Sequence, residues 1–102
     1  MWTPHAGEDV ARTRAKLDED QLIEKYVDLD TDRYPGGRAE ARLRDYGTSV
    51  WALVNHLKVV DGDVEELAQH YDLPRPAVDA ALAYYRRHKD LIDARIRLNA
   101  AR

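Results

Sequence analysis

Read for the spacing of its apolar residues, the chain falls into helical stretches separated by breaks. Val64, Leu67, Ala68 and Tyr71 recur at i, i+3, i+4 and i+7, one face of a helix. Asp63 stands just ahead of them, and Glu66 follows it at the spacing of a capping box. Beyond the break at Asp72-Leu73-Pro74, a second stripe is made by Val78, Ala81, Leu82 and Tyr85. Leu73 is the single apolar residue of that turn, placed to plug the corner between two helices. Pro76 fits the first helical position, where its missing N–H costs nothing, and it pushes Arg75 out of helical angles. Upstream, Val50, Leu53, Val54 and Leu57, with Trp51 beside them, mark a helix that Thr48 or Ser49 can cap and that closes at Val60-Asp61-Gly62. The pattern therefore predicts three helices, roughly Ser49–Val59, Asp63–Tyr71 and Pro76 onward, in the sequence form of a helix-turn-helix. Two helices joined by a short turn also occur in many folds that touch no nucleic acid.

The rest of the chain is less regular. Residues 1–17 read as an N-terminal tail, frayed and then helical from about Glu8, with Trp2 an isolated aromatic; residues 18–102 read as one domain. Asp18 can cap a short helix over Glu19–Val27, with Leu22, Ile23, Tyr26 and Val27 as its narrow apolar face. Asp28 to Arg33 reads as a loop, and Tyr34-Pro35-Gly36-Gly37 is the clearest breaker. For Arg38–Thr48 the alternation of Ala41, Leu43 and Asp45 favours an extended or irregular segment, while RAEARLRDY followed by Gly47 leaves a helix open. The last helix is longer than a tri-helical unit requires. Its stripe of Val78, Leu82, Tyr85, Ile92 and Ile96 runs past Arg87, and a second stripe of Tyr84, Leu91 and Leu98 lies on another side. That second stripe would be met by another copy, by a different protein, or by the N-terminal helix folding back over it. The expected fold is all-α: a tri-helical core, an extended C-terminal helix, and an N-terminal arm that is helical or irregular.

Composition narrows the possible functions. The chain has no cysteine, so disulfide and thiolate chemistry are excluded and a cytoplasmic setting is expected. No apolar run approaches a membrane span, and the N-terminus lacks the form of a signal peptide. The net charge of −3 does not advertise a nucleic-acid binder, but its distribution is uneven. Asp18 to Asp32 holds seven acids against Lys25 alone, whereas Arg75 to Arg102 holds seven bases against three acids. Such asymmetry permits a basic surface on the C-terminal third, or simply two solvated helix faces. The four histidines are far apart and show no HExxH spacing, so no metal site is expected. No phosphate loop, nucleophile elbow or isolated carboxylate in an apolar setting stands out, and the chain reads as a non-enzyme without cofactor.

The runs SVWALVNHL, GDVEELAQHYDLPRPAVDAALAYYRRH and IDARI resemble a bacterial family described as VapB-like antitoxins. The resemblance covers roughly Tyr34 to Ile96, and AALAYYRRH is its most specific part. It implies a homeodomain-like helix-turn-helix, a dimer, a PIN-like nuclease toxin as partner, and operator DNA as a second ligand. Arg75–Arg87 would match the recognition helix. One departure is that RLRDYGTSVW stands where many members carry a GTR-containing extended segment, with Gly47-Thr48 close to Val50 and Ser49 in place of arginine. For DNA, small Ala80 and Ala83 would let the helix sit deep beside Arg87, with Arg75 and Arg86 reaching phosphates; Asp79 and Asp90 on the same side would oppose it. For the nuclease, the expected contacts are Tyr84, Leu91, Arg95, Leu98 and Arg102, the arginines being placed to enter an acidic metal site. The rival reading is a protein-interaction module of the same fold that does not bind DNA.

Overall fold

The computed structural model describes the backbone of residues 6–101 and the side chains from Arg14 to Ala101; Trp2 and Arg102 lie outside that range. Within it the fold is all-α: α1 (Ala6–Tyr26), a 3-10 turn (Gly37–Glu40), α2 (Val50–Leu57), α3 (Val64–His70), α4 (Arg75–Arg87) and α5 (Lys89–Ala100). The three helices predicted from the apolar stripes are all present. Their inward residues are the expected ones: Val50, Leu53, Leu67, Val78 and Ala81 are fully buried.

Helices as short as α2 and α3 do not persist in isolation, so their ends need fastening. Asp63 caps α3 by accepting a hydrogen bond from the Glu66 N–H at 3.1 Å. Both helices close in the same way. Asp61 and Asp72 take left-handed angles (φ 53° for each), and the next N–H reaches back five residues, Gly62 to Leu57 O at 2.9 Å and Leu73 to Ala68 O at 2.9 Å. The second closure delivers Leu73 into the core, where it is 7% exposed, and so makes the corner plug. Arg75 is already helical, one residue earlier than the proline suggested. Pro74 is the cap, and Pro76 sits in the first turn, where no helical partner for its nitrogen is needed.

One predicted detail differs. The break expected at Asp18 does not occur, because α1 runs unbroken from Ala6 to Tyr26. Arg14 to Asp18 are exposed, and among the described side chains of the helix Ile23 is buried in its last turns, with Val27 buried just past its end. The segment after the 3-10 turn is irregular and partly extended. Val27 pairs with Leu43 and Arg42 with Ser49 in isolated bridges, and Asp45 and Gly47 turn the chain between them with positive φ. Ala41 and Leu43 point inward as the alternation predicts, whereas Asp45, its third member, is exposed at the turn.

The C-terminal arm stays helical to Ala100, but it bends at His88 (φ −130°, ψ 35°), which ends α4 and begins α5. Neither proline nor glycine marks the bend. A straight continuation would carry Ile92 and Ile96 beyond the three-helix core. The bend lays α5 against α2 and the 3-10 turn, leaving Ile92 0% and Ile96 9% exposed.

Candidate interaction surfaces

Burying those isoleucines turns α5 about its axis and sorts the proposed contact residues. Tyr84 belongs to the core (3% exposed) and its hydroxyl donates to the Arg38 carbonyl at 3.0 Å. Burial raises its pKa above the ordinary tyrosine value. It is therefore not a partner contact, and the stripe expected from Tyr84 through Leu91 to Leu98 is broken by the bend. Leu91 and Leu98 remain on the surface at 49% and 55% exposed. Arg95 is occupied internally: its guanidinium lies 4.2 Å from the Trp51 ring centre and pairs with Glu40, buckling α5 to α2 and the 3-10 turn. Across the bend, Tyr85 donates to Asp93 at 2.7 Å and Lys89 to the same carboxylate at 2.8 Å. These bonds, that from Lys89 foremost, hold the Asp93 carboxyl below its usual pKa.

The residues expected to meet DNA fare differently. Ala80 and Ala83 are 0% and 1% exposed, so neither forms an open groove-facing surface. The side of α4 that carries Ala83 is covered by α1. A shallow groove of about 440 Å³ between the two helices is lined by Asp18, Glu19 and Leu22 on one side and Asp79, Leu82, Ala83 and Arg86 on the other. Arg86 and Arg87 both reach Glu19, at 3.4 and 3.1 Å, and Arg87 also pairs with Asp20. Arg75 is held by Asp79 at 2.9 Å and by Glu65. The small residues of the face predicted to read bases are thus buried, and its three arginines, though exposed, pair with the chain's own acids.

By sequence alone the acidic and basic segments read as two separate surfaces. In the fold part of each is spent on the other. The signal was present as seven acids facing seven bases, but only the packing of α1 on α4 says which of them meet. Missed altogether was Arg38, an exposed residue beside His88 and the buried Thr31.

Among the described residues no group of three or more His, Cys, Asp or Glu is placed to hold a metal ion, and no helix is long and apolar enough to cross a membrane. Compared with known proteins, the chain matches no family model, no curated protein and no solved structure. The antitoxin resemblance therefore stands on the quoted residues alone.

Proposed function

We propose that this chain is an antitoxin-like protein-interaction module: a helix-turn-helix body that engages a PIN-like nuclease through α5 and does not use α4 to read DNA. The supporting observation is the contrast between the two helices. On α4 the small residues are buried and the arginines paired, whereas α5 turns Leu91 and Leu98 outward with exposed Arg97 beside them. An apolar stripe edged by a guanidinium suits a partner whose own site is acidic. Co-expression with the product of the neighbouring reading frame, followed by capture and a nuclease assay, tests this. Leu91→Glu with Leu98→Glu should abolish co-purification and restore nuclease activity while the circular dichroism stays unchanged. Retained inhibition by that double variant would remove α5 from the proposal. The homodimer implied by the resemblance is checked on the same samples by sedimentation.

Operator binding is the second reading, favoured by the α3–α4 corner itself. It requires α1 to leave α4. Anisotropy titration against the upstream DNA, repeated across salt, separates the two readings. No binding at low salt is expected, and specific binding with a steep salt slope would restore the operator reading.

A further inference from the structure

A cavity of about 340 Å³ opens between the loop after α1 and the elbow of α4 and α5, lined by Leu29, Thr31, Arg38, Tyr84 and His88. Three of these residues carry unusual polar chemistry. Thr31 is 6% exposed and its side chain makes no hydrogen bond to any described residue, though its backbone carbonyl accepts from the Tyr34 N–H at 3.0 Å. Arg38 makes no ion pair with any described residue. Arg33, Arg75, Arg86, Arg87 and Arg95 all meet carboxylates, and the nearby Glu40 turns to Arg95 instead. His88 sits with its ring 4.4 Å from that of Tyr84. A threonine hydroxyl, a guanidinium without an ion pair to any described residue, and an imidazole therefore line one concave space, and no described carboxylate lines it.

We propose that this cavity is a binding site for a compact oxyanion, a phosphate or sulfate group, taken by Arg38 as the fixed charge, His88 as a second donor and Thr31 as a neutral donor. A guanidinium presents paired N–H donors to such a group, and a hydroxyl and an imidazole supply donors from other directions. The Tyr84 hydroxyl is already committed to the Arg38 carbonyl and holds the backbone of the 3-10 turn beside the site. Without an anion, burial and then the charges of Arg38 and Arg87 hold the His88 pKa below that of a free imidazole. An anion reverses the sign of that local field, so binding draws a proton onto His88. The other charged groups near the elbow are accounted for. Arg86, Arg87, Lys89 and Asp90 line a second groove that His88 also borders, so three cations and one carboxylate face the imidazole from that side, and Asp30 and Asp32, exposed on either side of Thr31, do not line the cavity. The site is independent of the nuclease-partner proposal.

The test follows the His88 imidazole by NMR in the full chain at constant ionic strength, with sulfate as first probe because it keeps its charge between pH 5 and 8. Saturable sulfate binding is expected, tighter at pH 5.5 than at 7.5, with the His88 titration midpoint moving up by about half to one pH unit. Arg38→Gln should weaken binding about tenfold and Thr31→Val severalfold, while His88→Asn should leave binding that no longer tightens with acid. Ribose 5-phosphate binding more tightly than inorganic phosphate would assign the anion to a larger molecule, and equal binding would assign it to the free ion; either supports the site. Shifts that are linear in sulfate, equal at His56 and His70, or unchanged in the Arg38→Gln variant would overturn it.

Discussion

Single side chains decide where this fold is fastened. The Asp63 carboxylate accepts the Glu66 N–H, and its removal in Asp63→Ala should cost about 1 kcal/mol by urea denaturation. Asp72 holds the left-handed closing position of α3 with φ 53°, where a Cβ is unfavourable, so Asp72→Gly should stabilise by up to about 1 kcal/mol. His88 contributes a pH dependence near neutrality. Its folded-state pKa lies below the ordinary value, so the unfolded chain binds the proton first. Its contribution to stability is therefore complete above the unfolded-chain pKa of about 6.5 and is lost as pH falls through and below that value. Thermal melts between pH 7.5 and 5 should show this decline, and His88→Asn should flatten it.

At the scale of elements, the question is what keeps α1 on α4. Its ion pairs are part-exposed, with side chains of Arg87, Glu19 and Asp20 at 32%, 31% and 42%, and such pairs contribute about 0.2–1 kcal/mol each. Ile23 of α1 is buried, with Leu22 beside α4, and full burial of one such side chain contributes about 1.5–3 kcal/mol. The apolar contact wins, so a polyanion competing for the arginines does not by itself release α1. Glu19→Ala with Asp20→Ala should accordingly cost less than Ile23→Ala, for which about 2–5 kcal/mol is expected in the same urea titration. The reverse order would mean that charge holds the helix. The bend at His88 belongs to this scale too. Tyr84, Leu91 and Leu98 share one side only on a straight helix, and no local residue announces that the helix turns.

Across the whole molecule, the partly matched charge of α1 and α4 makes the body less basic outside than its C-terminal third reads. Leu91 and Leu98 of α5 stay uncovered as an apolar stripe. The periodic apolar residues, with the caps and Pro76, determined α3, the corner at Leu73 and the start of α4 to within a residue and α2 to within two. Those choices rest on neighbours within a turn or two, where capping and face-making act. What only the tertiary structure decided is which surfaces are free. Whether Ala83 faces solvent depends on α1, dozens of residues earlier in the chain. Whether Tyr84 and Leu91 share a face depends on Ile92 and Ile96 finding α2. Burial is settled between segments remote in sequence, and local spacing carries no record of which pairs will meet.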